Sequence, residues 1–167
     1  MKRDRGTSAS SLRRKAAMRS EEGAQWLWAM LETMRPWHYG KNLLVFVPLF
    51  FSGQLFANLQ ALRVACMGFV VMCLTASGVY AINDCADVER DRENTTKRSR
   101  PIASGRMSPG VAKALAAALL LAAAALLAAG RFPPAATAWW AVDVAVNVGY
   151  SLFAGRNIPV GAVTIVA

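Results

Sequence analysis

Between Val64 and Ile82 the chain reads VACMGFVVMCLTASGVYAI, 19 residues without a single charge. At 1.5 Å per residue such a helix spans about 28 Å, close to the roughly 30 Å hydrocarbon core of a bilayer. A run of this kind belongs in a membrane or in a deep protein core, and the distribution of charge decides between them. Residues 1–42 hold nine Lys or Arg and four Asp or Glu, residues 83–110 hold six and five, and all remaining residues hold four and one. Only 17% of the residues are charged and mean hydropathy is +0.31, well off the composition of a soluble domain, where about a quarter of residues are charged. Apolar segments separated by charged clusters point to an integral membrane protein.

Three more segments read as spans. Leu43–Ala57 carries Pro48 and is expected as a kinked crossing. Val111–Gly130 is nearly all Ala and Leu, with Lys113 near enough to its end to snorkel. Ala135–Gly155 is apolar except for Asp143 near its middle. The expected architecture is therefore an all-α, multi-pass cell-membrane bundle of about four transmembrane helices over residues 23–167, preceded by a disordered basic tail at 1–22. Residues 156–167 are still apolar where the sequence stops, so the chain is expected to end partway into a further element. An even number of spans separates the two basic clusters, and the positive-inside rule puts both, with the N-terminus, in the cytoplasm. Trp26, Trp28 and Trp37 then fall in the inner aromatic belt, and Phe132, Trp139 and Trp140 in the outer one.

Other classes are excluded. The basic N-terminus has no apolar run behind it and is not a secretory signal. Although the net charge is +9, no DNA-binding motif or aromatic-interleaved basic surface accompanies it, so anionic lipid rather than nucleic acid is the expected partner. Cys66, Cys73 and Cys85 lack metal-ligand spacing and read as free thiols.

The chemistry is concentrated in residues 80–101, YAINDCADVERDRENTTKRSRP. If the second span continues as a helix, at 100° per residue Asp84, Asp87 and Asp91 lie within about 60° of one another, while Glu89 and Glu93 face the opposite side. Carboxylates so grouped repel one another unless a divalent cation joins them, and hard oxygen donors suit Mg²⁺. Asn83 adds an amide, and Lys97, Arg98 and Arg100 add phosphate-binding cations. The plain alternative is a solvated acidic face. Arg35 and Lys41 either reach phosphate or anchor the topology, and His38 is expected at the interface rather than in chemistry. Asp143, with Asn147 and Tyr150 on the same helical face, is either a neutral bonded acid or part of a functional polar seam.

These residues carry a resemblance. N-D-x-x-D-x-x-x-D at Asn83–Asp91 followed by K-x-x-R-P at Lys97–Pro101 resembles the first aspartate-rich motif of the UbiA superfamily of membrane prenyltransferases. R-P-x-x-x-x-K-N at Arg35–Asn42, S-x-V-Y at Ser77–Tyr80 and RPIASGRMSP at Arg100–Pro109 fit as well. DVERDRENTTKRSRPIASG is most similar to the decaprenyl-phosphate phosphoribosyltransferase branch, although Asn94 and Thr95 stand where that branch has His-Pro and Tyr39 where it has Trp. The resemblance covers residues 30–160 and only the N-terminal half of the family pattern; the second acidic motif is not found. It implies a Mg²⁺-dependent transferase in which Asp84, Asp87 and Asp91 hold the metal and act in catalysis, and Asn83, Lys97, Arg100, Lys41, Arg35 and Tyr80 bind substrate. The implied substrates are a pyrophosphate and a polyprenyl lipid, with phosphoribosyl transfer to a polyprenyl phosphate preferred. Aromatic prenyl transfer and a non-catalytic half needing self-association or a complementary C-terminal half are the alternatives.

Overall fold

A computed structural model describes residues 21–154. The basic tail, apart from its last two residues, and the apolar stretch after residue 154 lie outside the described residues. Residues 21–34 form helix α1, followed by a 3-10 helix at Pro36–Phe46, α2 at Val47–Phe51, α3 at Leu59–Ala86 and α4 at Val88–Glu93. A 3-10 turn at Lys97–Ser99, α5 at Pro109–Ala129, α6 at Pro134–Gly149 and a π turn at Tyr150–Ala154 complete an all-helical chain.

The uncharged run lies inside α3, the longest element at 28 residues. Its start is set by Asn58, whose side chain accepts the Ala61 N–H at 3.0 Å and so satisfies one of the free amides of the first turn. Ser108 caps α5 in the same way through the Val111 N–H at 3.3 Å, with Pro109 at the position where its missing N–H costs nothing. Ala112, Ala116, Leu119, Ala123 and Leu127 form the buried stripe of α5, spaced to keep one face toward α3. The small residues let the two helices approach closely: a methyl built on Gly78 would sit 3.0 Å from Leu120 Cγ and 3.3 Å from the Ala116 carbonyl oxygen. Helix α6 joins α3 through the Trp140 indole N–H, which donates to Thr75 Oγ1 at 2.8 Å.

Among the described residues two helices, α3 and α5, are long and apolar enough to cross a membrane. Of the other expected spans, Ala135–Gly155 is the 16-residue α6 extended by the five-residue π turn. Leu43–Ala57 is not one kinked α-helix. The segment starts earlier, at Pro36, runs as a 3-10 helix, and ends at Phe51, with Pro48 in the first turn of α2 rather than at a kink. The reason is register against α3. Arg35 meets Asp84, Tyr39 meets Ser77, Asn42 meets Cys73 and Phe46 meets Phe69. From Arg35 to Phe46 the 3-10 rise of about 2.0 Å per residue covers about 22 Å, and from Asp84 to Phe69 the α rise of about 1.5 Å covers the same. An α-helix over the upstream residues would fall about 6 Å short of its last partner.

The bundle thus has two ends. The Ser52–Asn58 turn and the Gly130–Pro133 turn share one, where Asn58 and Phe132 line a common groove. At the other, α1 packs its Ala29 on Ile102, Met107 and Ala112, and Glu32 holds Arg106 through two hydrogen bonds of 2.8 and 3.1 Å. That clamp fixes the loop that carries Arg100.

Candidate functional site

Asp84 projects from the last turn of α3 and Asp91 from α4, and both are almost fully buried. Two guanidinium groups make this burial tolerable. Arg35 Nη2 donates to Asp84 Oδ1 at 2.6 Å, and Arg100 Nη1 donates to the same oxygen at 3.2 Å and to Asp91 Oδ2 at 2.7 Å. Arg35 comes from the α1 boundary and Arg100 from the loop clamped by Glu32, so three separate stretches of sequence meet here. The second oxygen of Asp91, Oδ1, is the one buried side-chain polar atom without a hydrogen-bond partner among the described residues. Beside the cluster lies a cavity of about 230 Å³ lined by Glu32, Arg35, Trp37, His38, Asp84, Arg100 and Pro101.

The structure divides the expected carboxylate stripe. Asp84 and Asp91 come together, but Asp87 does not join them: α3 ends at Ala86, Asp87 takes φ −97° and ψ 9° as the junction to α4, and its carboxylate pairs with Arg90 at 3.2 Å. The break removes the uniform 100° rotation on which the three-residue stripe depended. Among the described residues no three His, Cys, Asp or Glu side chains converge on a point a metal ion would fill. The donor chemistry nonetheless fits Mg²⁺ at Asp84 and Asp91, two hard carboxylates of which one keeps a buried, unsatisfied oxygen.

The remaining expected residues spread around this centre. Tyr80 stands one helical turn from Asp84 and carries Arg35 over its ring at 5.0 Å and Lys41 at 5.4 Å, both within cation–π range. Asn83 turns to the α6 side, where its Oδ1 accepts the Ser151 hydroxyl. Lys97 lies exposed on its 3-10 turn, and its side chain enters none of the ion pairs found among the described residues. Asp143 is exposed on α6 and accepts the Asn147 amide at 3.0 Å, which leaves the seam outside the cluster. Sequence reasoning missed three wall residues. Glu32, Trp37 and His38 line the cavity, and the His38 ring stands 5.8 Å from that of Tyr80. The only available signal for His38 and Trp37 was their position directly after Arg35–Pro36; the Glu32 pairing spans 74 residues and leaves no local trace.

Comparison with known proteins gives this arrangement a context. Residues 43–167 match the UbiA prenyltransferase family. A decaprenyl-phosphate phosphoribosyltransferase of Corynebacterium glutamicum is 34% identical over 139 residues, 83% of this chain and 42% of the relative. A protein of the same name from Mycobacterium tuberculosis is 41% identical over 93 residues, 54% of this chain and 31% of the relative. Nodulation protein NoeC of Azorhizobium caulinodans is 42% identical over 77 residues, 46% of this chain and 24% of the relative. The chain spans less than half the length of these curated relatives. A match over three-quarters of the sequence, on an all-helical chain with two membrane-length apolar helices, establishes that the chain belongs to the UbiA prenyltransferase family.

Proposed function

We propose that this chain contributes the pyrophosphate-binding side of a membrane transferase, with phosphoribosyl pyrophosphate as donor and a polyprenyl phosphate as acceptor. The observation that carries it is the Arg35–Asp84–Arg100–Asp91 cluster, buried at the head of the apolar helices and open to a cavity of about 230 Å³. Its relatives named decaprenyl-phosphate phosphoribosyltransferase favour that donor and acceptor over aromatic prenyl transfer.

In the reaction the anomeric C–O bond to pyrophosphate breaks, the bonding pair leaves with the pyrophosphate, and an oxygen of the polyprenyl phosphate forms the new C–O bond. The protein's task is to stabilise the leaving group and keep water from the electron-poor carbon. Arg35 and Arg100 line the cavity and supply charge-assisted hydrogen bonds to pyrophosphate oxygens. Tyr80 holds Arg35 and Lys41 toward the same wall; Lys97, exposed on its 3-10 turn, is placed to meet an incoming phosphate, whereas Asn83 is engaged by Ser151 on the α6 side. Mg²⁺ held by Asp84 and Asp91 would supply positive charge to offset the departing pyrophosphate, while Asp87, paired with Arg90 at the junction, stays outside that pair. The apolar faces of α3 and α5 continue away from the cluster and suit the lipid chain of the acceptor. Asp143, exposed on α6, calls for a polar cover in lipid, since a charge at mid-bilayer costs roughly 2.5–3.5 kcal/mol on insertion scales; a second copy or a further helix would supply it.

The test is binding in detergent of phosphoribosyl pyrophosphate and of geranyl pyrophosphate, each with and without Mg²⁺. Mg²⁺-dependent binding of the first, lost in Asp84→Asn and Asp91→Asn, is expected. Preference for geranyl pyrophosphate would move the assignment to prenyl transfer, and no binding of either would leave a structural cluster only.

A further inference from the structure

We infer that Arg35 and Arg100 form an exchangeable latch on Asp84 and Asp91, so that the metal enters the site together with the pyrophosphate and not before it. The inference rests on the proposed pyrophosphate function and adds an order of binding to it. Charge arithmetic motivates it. The two buried carboxylates are already neutralised by two guanidiniums, through contacts of 2.6, 3.2 and 2.7 Å. A divalent cation arriving alone must either share the carboxylates with those cations, leaving excess buried positive charge, or drive them off with no anion to receive them. A pyrophosphate arriving with the metal removes the conflict: its oxygens take the guanidiniums and the carboxylates pass to the metal.

Two further observations support exchange over a permanent ion-pair network. Asp91 Oδ1 is buried with no partner, so the latched state leaves one acceptor of the cluster unused. The Tyr80 face, 5.0 Å from the Arg35 guanidinium, gives it a second hold that keeps it beside the cavity once it leaves Asp84.

The experiment is equilibrium dialysis of radioactive Mn²⁺ against the full chain in detergent, with and without inorganic pyrophosphate, counting only the metal in excess on the protein side so that the freely diffusing Mn²⁺–pyrophosphate complex cancels. For the wild type, Mn²⁺ alone is expected to bind at least about tenfold more weakly than in the presence of pyrophosphate. Arg35→Gln is expected to change the two affinities in opposite directions: Mn²⁺ alone binds about tenfold tighter, while pyrophosphate binds about tenfold more weakly. Arg35→Lys, which keeps the charge, retains weak binding of Mn²⁺ alone. Should Arg35→Gln not fold, as read by thermal unfolding, Arg100→Gln gives the same comparison. The latch is wrong if the neutral variant binds Mn²⁺ alone no better than the wild type, or if wild-type affinity for Mn²⁺ is indifferent to pyrophosphate although pyrophosphate itself binds. A wild type that binds no pyrophosphate under any condition would instead overturn the proposed function.

Discussion

Arg35 and Arg100 hold the same carboxylate from different backbone circumstances, and their substitutions should separate accordingly. Arg35 sits at positive φ, which costs an L-residue roughly 1–2 kcal/mol and glycine almost nothing. Both Arg35→Gly and Arg35→Ala lose the bond to Asp84, but only alanine keeps the strain. The glycine variant should therefore be more stable by about 1 kcal/mol in thermal unfolding in detergent; equal midpoints would mean the backbone is relaxed. Arg100 bridges Asp84 and Asp91, so Arg100→Met strands buried charge and should cost about 3 kcal/mol. Adding Asp91→Asn should recover part of that loss, and a double variant less stable than the single one would contradict the ion-pair account. Asp84, Asp91 and Arg100 were legible as candidates because a charged cluster directly after an apolar run stands out locally, and the fold joins these three through ion pairs. Asp87 was misplaced because one broken turn redirects a side chain. A signal for the break was present: an Asp before an acidic first turn, Val88-Glu89-Arg90-Asp91, is a helix start, and it was overridden by the assumption of a continuous helix.

At the scale of elements, the uncharged run and the Ala/Leu run give α3 and α5 because length and hydropathy are local properties. The 3-10 helix at Pro36–Phe46 could not be read this way. Its geometry is fixed by partners on α3, from Asp84 to Phe69, and no pattern in PWHYGKNLLVF announces a rise per residue. The contact between α3 and α5 offers a sharper test. A side chain on Gly78 meets Leu120 at 3.0 Å and the Ala116 carbonyl at 3.3 Å, and backbone atoms cannot step aside as a side-chain tip can. Gly78→Leu should lower stability by about 2 kcal/mol through overpacking. Gly110, near the start of α5, has only Ser108 Oγ at 4.0 Å in the way. Gly110→Ala should be neutral or stabilising by up to about 1 kcal/mol. If both variants behave alike in a detergent melt, the close approach of α3 and α5 is not what the glycine serves.

For the whole molecule, orientation follows from an asymmetry that the sequence showed and the fold makes concrete. The end that carries Arg35, Lys97, Arg98, Arg100 and Arg106 also carries the buried cluster, whereas the opposite end offers the Ser52–Asn58 turn, without a basic residue, and a short turn with Arg131 alone. The positive-inside rule counts Lys and Arg in such short loops, and it predicts the basic end in the cytoplasm and the Phe56 turn outside. Phe56 is 93% exposed at the tip of that turn, and Thr95 is exposed in the loop after α4, which makes the two a matched pair of reporters. In intact cells, a membrane-impermeant maleimide should label Phe56→Cys at once and Thr95→Cys only after permeabilisation. Of the native thiols, Cys73 is buried, Cys66 is exposed about two helical turns inside α3 and is replaced by serine in both reporters, and Cys85, half-buried, shares the Thr95 end. Labelling of Thr95→Cys from outside, with Phe56→Cys protected, would invert the topology and put the Asp84–Asp91 cluster on the face away from the cytoplasm, where the proposed donor, a soluble phosphorylated sugar made inside the cell, could not reach it.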